Sequence, residues 1–270
     1  MKVRAALPQV LLVPVAFLVC LQGCGTMPDG GRWGADATWR PGWDRARASF
    51  MNAATSPLVV VPAAAAILVR IDHADERISD WAVRHTPTTG STRRAERLSS
   101  DLRRVMLYSF YLSALATPSG DDPEDWCLAK AQGLMVQGSA AALNNELVFA
   151  LKEATDRERP NKLDRQSFPS GHASNSAMFA TLASRNVHAM DLPSPVATSL
   201  DIALYTTMAG VAWERVESGY HYPSDVLAGI AMASFVGRFI NDTFMGNGSG
   251  PMPAAGCTPD GYFVGVSWRF

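Results

Sequence analysis

The sequence predicts an all-α protein: a helical bundle that ends in a short C-terminal β-strand. Two observations carry the bundle. Apolar residues recur at helical spacing in one segment after another up to Phe244, and Gly, Pro and Asp gather at the joints between those segments. A third observation carries the strand. Tyr262, Val264, Val266, Trp268 and Phe270 alternate with Phe263, Gly265, Ser267 and Arg269, a period of two.

The elements follow in order. Residues 44–54 suit a short first helix, and Pro57 to Ile71 is an apolar, Ala-rich candidate for a buried helix. Asp75 to Arg84 is amphipathic. Thr86 to Ser91 holds Pro and Gly and reads as a loop. Arg93 to Ala116 is a longer helix, basic early and apolar late, and Thr117 to Asp125 is a polar loop. The next helix runs to Arg159, because the residue before Pro160 disfavours helical geometry. Ala173 to Arg185 has small residues suited to close packing, and Ser194 to Arg215 is apolar. Pro223 to Phe244 begins with a proline in its first turn, where the missing N–H is harmless. Met245 to Gly261 is rich in Gly and Pro. The expected boundaries are a signal at 1–23, a tether at 24–42, a helical domain at 43–245 and a tail at 246–270.

Bulk properties narrow the class. With 47% hydrophobic and 18% charged residues among 270, a sizeable core can form. A net charge of -1 and a pI near 6.5 argue against nucleic acid as a partner. Mean hydropathy is near zero, and Pro57 to Val69 is short of the roughly 20 residues a spanning helix needs, so the body is expected to be soluble or peripheral.

The N-terminus reads as a targeting signal. Lys2 and Arg4 precede an apolar stretch, Val10 to Leu21, which ends in Leu21-Gln22-Gly23-Cys24. A Cys after a small residue at such a site resembles a bacterial lipoprotein box, which implies lipidation of Cys24 and anchoring in the envelope, facing the periplasm, with the outer membrane favoured. Trp33, Trp39 and Trp43 suit either a lipid interface or helix packing. Loss of Cys20 with the signal and modification of Cys24 leave Cys127 and Cys257, an even pair in an oxidising compartment, so a disulfide between them is expected.

Three clusters carry chemistry. In the first, Lys152 and Arg159 lie seven residues apart, close to two helical turns, so both can face one way and hold phosphate oxygens. Asp156, Arg157 and Glu158 between them suit a solvated helix face. The second is Pro169-Ser170-Gly171-His172 at the start of a helix, where free amides and the helix dipole favour an anion. Ser170 adds a hydroxyl, Gly171 permits close approach, and His172 can carry a proton near neutral pH. In the third, Arg215 offers a further fork, His221 precedes a helix, and Asp225 lies in that helix's first turn, where a carboxylate can orient the imidazole. His73, His85 and His188 belong to no cluster and read as surface or loop residues.

Taken together, Lys152-x6-Arg159-Pro160, Pro169-Ser170-Gly171-His172 and Arg215-x5-His221-x3-Asp225 resemble, in order and spacing, the three signature motifs of the type 2 phosphatidic acid phosphatase superfamily. That group includes class A acid phosphatases, lipid phosphate phosphatases and vanadium haloperoxidases. Glu214 departs from the pattern, which has a small residue before the Arg, and is expected to weaken the positive field. The resemblance implies that His221 is a nucleophile forming a phosphohistidine, that Asp225 fixes its tautomer, and that His172 serves the leaving oxygen and then the water. Lys152, Arg159, Ser170, Gly171 and Arg215 would bind the phosphoryl oxygens, with no metal and no cofactor. Tethering near lipid favours a lipid-linked or isoprenoid phosphate as substrate over a small soluble phosphate ester. Two alternatives accompany this reading: a haloperoxidase holding vanadate in the same pocket, and a non-catalytic envelope lipoprotein.

Overall fold

Helix starts in this chain are set by capping side chains and prolines. Asp122 accepts from the amides of Glu124 and Asp125 ahead of Pro123, Ser91 accepts from Arg94 N, and Pro57 and Pro223 occupy first-turn positions. In the computed structural model, which describes residues 23–245, 252–258 and 261–267 (side chains of Asp72 and of the last two segments excepted), these signals open eight α-helices among the described residues. They are α1 (Trp43–Ala54), α2 (Pro57–Leu68), α3 (Ala74–His85), α4 (Thr92–Ala116), α5 (Pro123–Thr155), α6 (Gly171–His188), α7 (Ser194–Glu217) and α8 (Pro223–Phe244). The all-α body is as expected.

α6 and α8 form the centre, with α2, α4, α5 and α7 packed around them. Small residues let the central pair approach closely. A Cβ on Gly237 would sit 3.0 Å from Met178 Sδ, and one on Gly229 would sit 2.9 Å from the carbonyl oxygen of Ser170. The second contact presses α8 against the Pro-Ser-Gly-His turn. Ser170 N also donates to Asp225 O at 3.0 Å, so the turn and the start of α8 are one unit. Much of the interior is polar: Gln137 Nε2 donates to Asn186 Oδ1 and Asn241 Oδ1 at 2.8 and 2.9 Å, and Arg185 pairs with Asp242.

Several expectations are corrected. α5 stops at Thr155, where Asp156 takes a left-handed φ of 42°, so Arg159 lies in a loop and not two helical turns along from Lys152. α2 is not buried. Of its large apolar residues, Val61 and Ile67 are 64% and 69% exposed, and Ala66 is its one buried residue. The segment expected to be a loose tether is packed against the body. Trp33 is 1% exposed and fills the notch at Gly133, and Lys130 Nζ lies 4.9 Å from its ring centre. Thr38 N donates to Phe244 O at the other end of that segment.

Cys127 is a free, exposed thiol near the start of α5; the side chain of Cys257, and with it the expected bridge, lies outside the described residues. Cys24 is free and exposed, and the signal at 1–22 lies outside the described residues. After α8 the backbone of Met252–Thr258 pairs antiparallel with Gly261–Ser267, where the sequence pointed to a loop and a single strand.

Candidate active site

One end of the bundle collects the ends of five helices. Lys152 is in the last turn of α5, His172 in the first of α6, Arg215 in the last of α7 and Asp225 in the first of α8; Ser99, Ser100 and Arg103 come from the early turns of α4. Loops between these ends supply Arg157, Arg159, Ser167 and His221.

His221 is the most confined of these side chains, 2% exposed. Its Nδ1 donates to the carbonyl oxygen of Ser167 at 2.7 Å. That bond keeps the proton on Nδ1 and leaves the lone pair on Nε2. Asp225, the expected orienter, lies 3.8 Å from Nδ1, too long for a hydrogen bond, and acts on the ring through its charge. Asp225 instead holds the frame: its Oδ2 accepts from Ser167 Oγ at 2.5 Å and Tyr222 N at 2.8 Å, and its Oδ1 from Arg157 Nη1 at 2.5 Å. The carboxylate therefore fixes the residue whose carbonyl fixes the imidazole.

Arg157 is the anchor of that frame and not part of a solvated face. Its guanidinium also binds Ser224 Oγ at 2.8 Å and Asp75 Oδ2 at 2.7 Å, and it stacks 4.2 Å from the Tyr222 ring centre. Asp75 in turn accepts from Ser224 N at 2.8 Å and ties α3 to the start of α8.

The cations stand around an aromatic post. The Tyr220 ring has Arg215 4.2 Å from its centre and Arg159 at 5.1 Å, and its hydroxyl donates to Glu96 Oε1 at 2.9 Å. A ring's negative face lets two guanidinium groups lie close together. Arg159 forms a 2.7 Å ion pair with Asp164, and Lys152 Nζ donates to Gln166 O. Burial, with Arg159 next, lowers the Lys152 pKa to about 8; burial and Arg159 lower that of Arg215 to about 10. The buried Nε of Arg103 and of Arg215 have no hydrogen-bond partner among the described residues.

His172 is held more loosely, with Nε2 3.4 Å from Ser100 Oγ. Burial and then the positive charges of Arg215 and Arg103 lower its pKa to about 3, with His221 and Arg159 adding to the effect. Burial lowers that of His221 to about 4 despite the nearby Asp225. Lys152, Arg159, His172, Arg215, His221 and Asp225 thus sit within reach of one another's charge. Ser170 caps α6, its hydroxyl accepting weakly from Ala173 N at 3.5 Å, and Gly171 opens that helix with room around it.

Burial, helped by Glu217, pushes the Glu214 carboxyl up to about 7, and the charges acting on Arg215 are those of Arg159, Tyr220, Glu96 and Arg103. The residues that sequence reasoning missed are Arg157, Ser167, Asp75, Arg103, Ser100 and Tyr220. A basic residue inside the first motif and an aromatic beside His221 were the available signals. His73, His85 and His188 are exposed and away from the site, His188 pairing with Asp201 at 2.8 Å.

The profile of the PAP2 superfamily matches residues 133–248, the stretch that carries the three motifs. Among characterised proteins, the chain is similar to the decaprenylphosphoryl-5-phosphoribose phosphatases of two strains of Mycobacterium tuberculosis. It is 31% identical to each over 116 residues, covering 40% of this chain and 59% of the relative. The match thus spans well under two thirds of those relatives' length. Among solved structures, a transmembrane PAP2-type phosphatidylglycerolphosphate phosphatase from Bacillus subtilis aligns with a TM-score of 0.47 and 22% identity, over 73% of this chain and 94% of that one.

Proposed function

We propose that the protein is a phosphatase that cleaves a phosphate ester or diphosphate through a phosphohistidine at His221. What supports this reading above all is the bond from His221 Nδ1 to Ser167 O, which presents Nε2 as the nucleophile amid Lys152, Arg159 and Arg215. In the first step Nε2 attacks phosphorus, the bond to the leaving oxygen breaks, and His172 gives that oxygen a proton. In the second, His172 takes a proton from water, the water oxygen attacks phosphorus, and the P–N electron pair returns to Nε2, releasing inorganic phosphate. The low pKa of His172 comes first from burial and then from the cations around the ring. A phosphate dianion reverses the sign of that field and raises the proton affinity of the ring at the moment the acid is needed. The same cations and the α6 amides neutralise charge on the phosphoryl oxygens.

For the substrate we favour a lipid-linked or isoprenoid phosphate. The relatives' name points there, as does the N-terminal pattern that would place the protein in a bacterial envelope with Cys24 acylated. A panel of isoprenyl phosphates, phosphatidyl phosphates, nucleotides and an aryl phosphate should show the highest kcat/KM for a lipid phosphate. The mechanism is tested by trapping. His172→Ala, slow to hydrolyse the intermediate, should accumulate an acid-labile, base-stable phosphoprotein, and His221→Ala should form none. Turnover by His221→Ala near the wild-type rate would exclude the mechanism.

A further inference from the structure

The three motifs begin at Lys152, yet one wall of the site comes from well before them. Glu96, Ser99, Ser100 and Arg103 recur at three- and four-residue intervals on α4, so they share one face of that helix. The face is turned to the site. Glu96 Oε1 accepts from the Tyr220 hydroxyl at 2.9 Å, Ser99 Oγ accepts from Arg215 Nη1 at 3.4 Å, and Ser100 Oγ lies 3.4 Å from His172 Nε2. Arg103 continues the row beyond Ser100.

Arg103 differs from the other cations of the site. Arg159 is paired with Asp164, Arg157 with Asp75 and Asp225, and Lys152 Nζ is bound to Gln166 O. Arg215 is stacked on Tyr220. The next residue along α4, Arg104, is exposed and pairs with Asp101. Arg103 is partly buried, its Nε is closed to solvent without a hydrogen-bond partner, and among the described residues no carboxylate pairs with it. Its charge nevertheless reaches the His172 ring, where burial, Arg215 and then Arg103 lower the pKa.

We propose that Arg103, with Ser100, is a subsite for the leaving group, and that the substrate it fits is a diphosphate ester cleaved at its terminal phosphorus. This role presupposes the ones given above to His221 and His172. They put the leaving oxygen within reach of His172 Nε2, and so beside Ser100. In one direction along α4 the space is taken by Arg215 and Tyr220. Whatever is bonded to the leaving oxygen therefore extends the other way, toward Arg103, whose Cβ is about 5–6 Å from that of Ser100. A hydrocarbon there would strip water from the guanidinium and give it nothing in return. A second phosphoryl group would meet the planar fork with two oxygens. The terminal phosphoryl group is already served by Lys152, Arg159, Arg215 and the α6 amides. In the reaction, His221 Nε2 bonds to the terminal phosphorus and the bond from that phosphorus to the bridging oxygen breaks. The electron pair stays on the bridging oxygen, which takes the proton of His172 and departs in a monophosphate ester; water then releases inorganic phosphate from Nε2. Charge grows on the bridging oxygen as its bond lengthens, so Arg103 holds the transition state more tightly than the ground state, which is the condition for a contact to raise the rate.

The test compares substrates that share one organic group, with initial phosphate release measured on the full-length chain. Farnesyl diphosphate and farnesyl phosphate form one pair; ADP and AMP form a second, which tells a prenyl carrier from a nucleoside. In the pair the wild type turns over, Arg103→Gln should lower kcat/KM for the diphosphate by about 10- to 100-fold more than for the monophosphate, the range for a lost hydrogen bond to a charged group. Arg103→Lys, which keeps the charge without the fork, should restore part of that difference. The ratio within a pair does not respond to a folding defect, which lowers both rates alike. Equal losses on both substrates overturn the proposal and make Arg103 a ligand of the transferred phosphoryl group; an unchanged ratio with no loss overturns it too. A wild type that hydrolyses a monophosphate but neither diphosphate overturns it while the phosphatase reading stands. Release from none of the four substrates overturns both.

Discussion

The two imidazoles of the site are held in opposite ways. His221 is enclosed, with Nδ1 bound to a carbonyl that is itself fixed by Asp225, Arg157 and Asp75. His172 sits at a helix start with one long contact to Ser100 and a ring of positive charge around it. The difference fits two tasks. A nucleophile gains from a single fixed direction, because small misplacements of attack cost rate. A group that serves first a leaving oxygen and then a water gains from freedom and from a proton affinity that the substrate itself adjusts.

The largest effect that would test this contrast is on turnover. His221→Ala should lower kcat by about 10⁴-fold or more with any substrate. His172→Ala should cost about 10²–10⁴-fold with an alkyl phosphate, the usual range for a lost acid–base group, and clearly less with an aryl phosphate in the first step. Burst kinetics on both substrates separates the two steps. Equal losses for both leaving groups would remove His172 from the acid's role.

The next effect is on stability. Arg157→Leu leaves Asp75 and Asp225 buried beside each other without their cation, and breaking such a pair costs about 3–5 kcal/mol. The unfolding midpoint in urea should fall accordingly, with activity lost together with the His221 frame. If the variant is as stable as wild type, the network does not hold the site.

A smaller effect follows from protonation. Both imidazoles have folded pKa values below 6.5, about 4 for His221 and about 3 for His172, so the unfolded chain binds more protons between those values. Their contribution to stability is therefore present above pH 6.5 and is lost as pH falls from 6.5 toward 4. Thermal unfolding across that window should show the decline, and His172→Gln should flatten it. The smallest effect is expected at Glu214. With its carboxyl raised to about 7, Glu214→Gln should change kcat/KM less than about twofold at pH 7, as read in a steady-state assay; a larger gain would show that it damps the pocket.

Much of this was legible in the residues, and the failures share a cause. Lys152, Arg159, Ser170, His172, Arg215, His221 and Asp225 were legible because motif spacing places each at a helix end or joining loop. Arg157 was read as surface because, along the chain, it is one charge among several; only the return of Asp75 and Asp225 to it makes it an anchor. Asp225 was given a direct bond to His221, since a sequence shows no backbone carbonyl, and the carbonyl of Ser167 takes that place. α2 was read as buried because composition says how apolar a helix is, not which neighbours cover it.

By itself the sequence determined the helices, their order and the identity of the groups that would meet an anion, because caps, prolines and apolar spacing act over a few residues. Tertiary structure alone decided which oxygen orients His221, how Arg157 is used, and that α2 leaves most of its apolar side chains exposed. Those are contacts between segments tens of residues apart, and no local rule reports which face of a helix the rest of the chain will cover.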